Sequence, residues 1–483
     1  MNLAKPGTAL PSPIDEGVTA EDLGHVLFIG VGGVGLSGLA RLYATRGLRV
    51  SGSELRDWPS LAALAGLGAT IRREHKTSNL DGIDTVVRST VHPDDHLELV
   101  EARRRGLRIM HRSEALAAAM TGKKSLVVAG THGKTTTTAM LTDMLAVCGA
   151  DPSFVNGGES AVDGRSGGHG AGEHFVIEAD ESDRSFMRYR PDLAVLLNVD
   201  ADHLNTYGGI DQLEEGFADF LRLTAADGAI VVCADDARAA RVGERMRAEG
   251  REVIAYGEAP DADLRVSELT VDAAGVHYRA GWRGRDLGRF DVPTPGAHLG
   301  RNSAAVAAVG LRLGLGADDV RKGLAAFGGV RRRFELVGTA AGVRVYDEYA
   351  YHPVAVSAAV ETLRQVAEDG RLLVVFQPLR VYRTRDMRAE LAAALGSVDE
   401  LIVMEVFGPG EEIPPGDGGV ALCRAVDLPE DRKRFTPEWS EAIDEIRRRA
   451  RPGDVVVTMG APPISLMPPE LLSALEESAA EAQ

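Results

Sequence analysis

Cysteine is scarce in this chain: 483 residues hold three, Cys148, Cys233 and Cys423. They are odd in number, far apart, and lack CxxC spacing or a histidine at metal spacing, which excludes a disulfide framework and a cysteine-based zinc centre. Long apolar runs are missing too. None approaches the ~20 residues needed to span a bilayer, and the first 24 residues show no basic start leading into an apolar stretch, so a soluble, cytoplasmic protein is expected. Positive charge is in deficit: 54 Lys and Arg against 71 Asp and Glu leave −17. Binding a nucleic-acid backbone needs clustered cations that release counterions, so nucleic acid is not an expected partner and the basic residues that matter should sit in local pockets. What is present is ordinary for a globular protein, 44% hydrophobic and 26% charged. The length suits about three domains of roughly 150 residues.

Strand-like and helix-like segments alternate in three blocks. The first opens with the apolar run His25–Gly30, a helical stretch Ser37–Arg46 and a strand Arg49–Gly52, a βαβ start. Strands Asp84–Arg88 and Arg108–Met110 follow, with a helix over Leu97–Gly106 between them. The second block has strands at Ser125–Ala129, Phe175–Ala179, Leu193–Asn198, Ala229–Cys233 and Glu252–Tyr256. Residues 260–293 break the pattern, and Leu264–Val271, Gly275–Arg279 and Gly288–Val292 suggest a small antiparallel insertion or sub-sheet; helices resume at Asn302–Leu313 and Val320–Phe327. The third block alternates strands Leu372–Phe376, Leu401–Val406 and Asp454–Met459 with helices near 354–368, 386–395 and 437–450. The expected division is a flexible N-terminus over 1–24, domains over 25–121, 122–330 and 331–475, and a flexible tail over 476–483.

Gly130-Thr131-His132-Gly133-Lys134-Thr135-Thr136 lies between an apolar strand and a helix. In that context backbone N–H groups and a helix N-terminus can face phosphate, Lys134 can bridge terminal phosphates, and Thr135 can ligate Mg²⁺. The loop is the short GxxGKT form: position 128, where a longer phosphate loop carries glycine, is valine. A second glycine-rich turn, Gly30-Val-Gly32-Gly33-Val-Gly35-Leu-Ser37, can seat the diphosphate of a dinucleotide or of a nucleotide sugar. Glu54 stands where a dehydrogenase would bind ribose, so spacing alone leaves both readings open; the separate GKT loop counts against hydride transfer. The fold class is therefore α/β in three domains: N-terminal Rossmann-like, a central P-loop ATPase-like parallel sheet with a small antiparallel sub-sheet, and C-terminal Rossmann-like.

Glu178-Ala-Asp180-Glu181-Ser182-Asp183 and Asn198-Val-Asp200-Ala-Asp202-His203 both follow strands, at the edge where doubly wound sheets bind ligands. Asp and His there can complete a Mg²⁺ site or orient phosphate; solvated loops are the plain alternative. His298 and Asn302 precede a helix and can face a base, although Asn302 also suits a helix cap. Arg331-Arg-Arg333-Phe334 and Asp347-Glu-Tyr349 flank a strand, with arginine for phosphate and Asp347 for ribose. Arg380 and Arg383 are spaced to clamp a carboxylate from one loop.

The ordered set IGVGGVGLSGLA, AGTHGKTTTT, EADESDRSF, NVDADHLNTY, RRRF and FQPLR, spanning about residues 25–385, resembles the Mur ligase family, the ATP-dependent amide-forming ligases of peptidoglycan precursor synthesis. The resemblance is most specific to the branch that uses UDP-N-acetylmuramate and L-alanine and to its murein-recycling relative. It implies ATP and Mg²⁺, and an acyl phosphate formed from the donor carboxylate before an amine attacks. It places Gly32, Gly33, Gly35 and Ser37 on the UDP diphosphate and Lys134 on the ATP phosphates, with Gly130 to Thr136 as the surrounding loop. Thr135, Glu178 and His203 would hold metal, with Lys134, Glu178 and His203 forming the catalytic set. His298, Asn302, Arg333 and Asp347 would lie on the ATP side. Asp180, Glu181, Ser182, Tyr349, Arg380 and Arg383 would face substrate, the two arginines near the amino-acid carboxylate. Three substrates from three domains imply domain closure; a monomer or weak homo-oligomer is expected.

Four positions depart from the family pattern: His298-Leu299 for His-Asn, Tyr351-His352-Pro353 for His-His-Pro, Gln377-Pro378-Leu379 for Gln-Pro-His, and Gly460-Ala-Pro-Pro463 for Gly-Ala-Gly-Asp. Most lie in the third block. Three readings therefore stay open: a ligase for L-alanine, a paralogue that attaches another amino acid or a peptide, and a nucleotide-binding regulator without ligation.

Overall fold

The structure, a computed structural model, describes residues 17–202 and 204–481. The chain divides into two compact units. One holds the chain up to Ser267 with Arg279–Phe290 and Arg301–Gly328; the other holds Glu268–Tyr278, Asp291–Gly300 and the chain from Gly329 on.

The first unit begins with five parallel strands in the order Thr70–Arg72, Val50–Ser53, Val26–Ile29, Thr85–Arg88, Arg108–His111. Alternate residues of the central strand serve two cores: Val26 and Phe28 face the large one, Leu27 and Ile29 a smaller one with Leu80, Val86 and Leu99. The large core runs on without a break into the second sheet through Tyr43, Ala115, Val127, Phe175 and Phe186. The Tyr43 hydroxyl donates to the Ala115 carbonyl at 2.9 Å, so even this buried ring has its polar end satisfied.

The central sheet has ten strands. Lys124–Ala129 runs parallel between His174–Glu178 and Leu193–Leu196, with Ala229–Cys233 and Glu252–Gly257 beyond. The phosphate loop thus leaves the sheet at its middle, flanked by the ends of the two strands that lead into the acidic segments. Residues 260–293, expected as a small antiparallel insertion or sub-sheet, extend this sheet: Leu264–Asp272 pairs with Glu252–Gly257 through Tyr256 and Leu264, and Gly275–Trp282 and Arg285–Val292 follow outward. Two-residue links between these last three can join only antiparallel neighbours.

The second unit carries a six-stranded sheet in the order Glu335–Ala340, Val343–Glu348, Val455–Gly460, Leu372–Gln377, Glu400–Val403, Lys433–Phe435. Its first pair is antiparallel with a bulge between Leu336 and Gly338, and the rest are parallel. The helix expected near 386–395 is two, Val381–Asp386 and Arg388–Leu395. Residues 476–481, expected within a flexible tail, continue the helix Met467–Glu481, and Glu21–Leu23 forms a short 3₁₀ turn where a flexible N-terminus was expected. Among the described residues, no helix is long and apolar enough to cross a membrane.

Candidate active site

Gly130 and Gly133 both have positive φ, 140° and 82°, which lets the loop wrap tightly before the helix Lys134–Val147 begins. A polar clasp fixes it from the neighbouring strand end. The Asn198 carboxamide accepts from the His132 N–H at 2.8 Å and donates to the His132 carbonyl at 3.0 Å, while the Asp200 N–H donates to Thr131 Oγ1 at 2.9 Å. The His132 ring meets the Asp200 carboxylate at 3.0 Å. Lys134 Nζ donates to the carbonyls of Gly130 at 2.6 Å and Thr131 at 3.0 Å, and reaches Glu181, only 2% exposed, at 2.8 Å. Burial pushes the Glu181 carboxyl above its ordinary range despite that lysine.

Thr135 Oγ1 donates to Glu178 Oε2 at 2.8 Å. Gly157 leaves room for this carboxylate, since a Cβ there would collide with it. A hydroxyl and a carboxylate are hard oxygen donors, so the pair fits Mg²⁺. His203, the third expected ligand, lies outside the described residues. Thr136 is buried in the first turn of the helix. Asn302, which also suited a cap, sits in the second turn of the helix Ala297–Arg312, which starts five residues earlier, and its amide reaches the loop: a Cβ on Gly133 would lie 2.5 Å from Asn302 Nδ2.

Beside the loop, in the same unit, is a cavity of about 730 Å³ whose lining includes Gly33, Gly35, Trp58, Glu178 and Asp180. The four residues expected on a diphosphate separate here. Gly33 and Gly35 border the cavity; Gly32 donates its N–H to Glu54 at 3.2 Å; Ser37 is buried, its hydroxyl turned back to the Val34 carbonyl at 3.3 Å. Arg112, unremarked in the sequence, binds Asp180 at 2.5 Å. Burial alone would raise the Asp180 carboxyl; the Arg112 guanidinium, the hydrogen bonds from Ser182 and the charge of Lys134 together outweigh it and hold it below the ordinary carboxylate range. Asp180 also accepts from the Ser182 N–H at 2.9 Å, and the Ser182 carbonyl accepts from Thr206. A Cβ on Gly32 would strike the Trp58 ring, so Gly32→Ala should displace the indole from the cavity's lining and, if the cavity holds a diphosphate ligand, weaken its binding about tenfold by titration calorimetry. Unchanged affinity would remove Trp58 from the ligand's border.

The second unit gathers a different set. Arg332, not Arg333, meets Asp347, at 3.3 Å, and Thr458 donates to the other Asp347 oxygen at 2.8 Å. Arg333 donates to the Tyr349 carbonyl at 3.2 Å, and both guanidinium groups lie over the Tyr349 ring at 4.6 and 4.9 Å. Burial raises the Asp347 carboxyl above its usual range. The His298 ring packs near Phe334, 5.5 Å between centroids. Arg380 and Arg383, expected as one clamp, have separate partners: Arg380 binds Glu411 at 3.1 Å, and Arg383 lies over Tyr351 at 5.0 Å. Two adjacent arginines and a remote Glu411 offer no sequence signal for these choices.

Known proteins match along most of the chain. Residues 25–124 match the Mur ligase family catalytic domain, 128–310 the Mur ligase middle domain, and 332–462 the Mur ligase glutamate ligase domain. A UDP-N-acetylmuramate–L-alanine ligase of Salinispora arenicola is 60% identical over 458 residues, covering 95% of this chain and 90% of its own length. That of Salinispora tropica is 58% identical over 463 residues, covering 96% and 90%. The crystal structure of a UDP-N-acetylmuramate–alanine ligase from Thermotoga maritima superposes with a TM-score of 0.81 at 25% identity, covering 95% of this chain and all of its own.

Proposed function

The chain belongs to the Mur ligase family, and from that premise we propose that it joins L-alanine to the lactyl carboxylate of UDP-N-acetylmuramate at the expense of ATP, in the cytoplasmic synthesis of peptidoglycan precursor. The observation that carries this is 60% identity over 95% of the chain to a relative of that name. The departures at Tyr351, Leu379 and Pro462-Pro463 are then variation within the L-alanine branch. ATP and Mg²⁺ are the implied cofactors, and a monomer or weak homo-oligomer the implied state.

A carboxylate is a poor electrophile, so the reaction begins with transfer of the γ-phosphoryl group to it, and the amine attacks the resulting acyl phosphate. Lys134, fixed by two loop carbonyls and Glu181, stands where it neutralises charge on the transferring group. Thr135 and Glu178 would hold Mg²⁺, which supplies further charge neutralisation at the phosphates. The Asn198 clasp and the approach of Asn302 to Gly133 fix the shape of the loop. The cavity beside the loop takes the UDP sugar, with Gly33 and Gly35 near the diphosphate. Arg332, Asp347 and Tyr349 offer a cation, a ribose acceptor and a flat ring to the nucleotide, and Arg383 a guanidinium for the amino-acid carboxylate. No step needs a covalent enzyme intermediate.

The test is phosphate release from ATP with Mg²⁺ and UDP-N-acetylmuramate, offering the twenty amino acids singly. Release that depends on L-alanine is expected. Release with another amine instead would move the chain to the paralogue reading, and silence throughout would favour the regulator.

A further inference from the structure

A second cluster lies in the N-terminal sheet, apart from the phosphate loop. Glu98, in the first turns of the helix Leu97–Arg105, is fully buried. Its carboxylate is held from three sides: Asn79 Nδ2 donates to Oε1 at 2.7 Å, Ser53 Oγ donates to Oε2 at 2.7 Å, and His75 Nδ1 lies 3.0 Å from Oε2. Among the described residues the only ionisable group paired with this buried carboxylate is His75, whose charge is optional. A buried anion without a permanent cation beside it is costly. His96 packs edge-on against His75 with ring centroids 4.5 Å apart, and its Nδ1 is buried without a hydrogen-bond partner. One ligand atom from each of His75, His96 and Glu98 falls within 4.8 Å of the others.

We propose that His75, His96 and Glu98 bind one divalent transition cation of the zinc class, at the edge of the cavity that His75 lines. Two imidazoles and one carboxylate suit zinc or cobalt, whereas magnesium prefers oxygen alone. A dication supplies the charge that Glu98 lacks and takes up the unsatisfied demand at His96. Ser53 and Asn79 play the outer part, orienting the carboxylate before the ion arrives. Three protein ligands leave a fourth position for water or for an oxygen of whatever occupies the cavity. This metal is distinct from the magnesium of the phosphate loop, whose donors are Thr135 and Glu178.

The probe is Co²⁺, titrated into the full-length, tag-free chain in excess Mg²⁺ so that oxygen-only sites are filled. Visible d–d absorption saturating at one equivalent, displaced by Zn²⁺, is expected. His96→Asn should weaken Co²⁺ binding at least tenfold while keeping the fold, because His96 is the N-cap of its helix and asparagine is a favoured cap. His75→Gln should do the same. No absorption in the parent would mean that the cluster only solvates Glu98, and undiminished binding in both variants would place the ion elsewhere; either result overturns the proposal.

Discussion

Replacing Lys134 by methionine together with Glu181→Gln is expected to lower ATP-dependent phosphate release about 10³-fold, while UDP-sugar binding by calorimetry stays within a few-fold of the parent. The paired change is needed because lysine alone cannot leave cleanly. Its Nζ is the cation beside a carboxylate that is 2% exposed, and removing it would strand a buried charge, costing about 3–5 kcal/mol or forcing Glu181 to take a proton. Glutamine at 181 removes that charge, and Glu181→Gln alone serves as the control. The loop's shape should survive, since it is set by Gly130, Gly133 and the Asn198 clasp rather than by the lysine. What would disappear is the positive charge that Lys134 is proposed to bring to the transferring phosphoryl group. Turnover within tenfold of the Glu181→Gln control would remove Lys134 from the chemistry.

Much of this loop was legible in the sequence because its chemistry fixes residue types at adjacent positions: glycines where φ must be positive, then Lys and Thr at the start of a helix. Glu178 was legible for a related reason, as an acid at the end of a strand parallel to Lys124–Ala129. Partners brought in from far along the chain were not. Asn302 could be picked out, but its approach to Gly133 depends on a helix that begins at Ala297, and nothing local marks that start. Arg112 escaped notice because only the packing of its helix beside Asp180 gives it a role.

Backbone conformation decided other cases. Arg332 and Arg333 are interchangeable on paper; Arg332 has φ of 64°, and it is this residue that reaches Asp347. The single strand expected between Phe334 and Asp347 is a hairpin, turned at Ala341-Gly342 with φ of 51° and 75°, and its outer strand has too mixed a burial pattern to stand out. The edge strand Thr70–Arg72 is short and half exposed, so it has no apolar run to announce it. The metal-type cluster has no motif either: His96 and Glu98 share the start of the helix Leu97–Arg105, but His75 comes from a loop more than 20 residues earlier and meets them only in the fold.

Glu348 leads to the second large effect. It is 4% exposed at the end of the strand Val343–Glu348, accepting the Phe334 N–H at 2.7 Å, and burial pushes its carboxyl up to about 7 although Arg333 pulls the other way. A carboxyl whose folded pKa is raised binds its proton more tightly in the folded state than in the unfolded one. Its contribution is therefore intact below the ordinary value of 4.5 and is lost as pH climbs from there through about 7. At 1.36 kcal/mol per pH unit that interval is worth roughly 3 kcal/mol. Glu348→Gln keeps an acceptor for the Phe334 N–H and abolishes the titration. Between about pH 5 and pH 8 the apparent Tm of the parent should fall relative to the variant by about 3 °C, read by thermal denaturation of the full chain. Parallel profiles would mean that Arg333 compensates the charge completely and that Glu348 is ionised throughout. Divergent ones would show that the strand carrying Asp347 toward Arg332 sits on a carboxyl that is half protonated near neutrality.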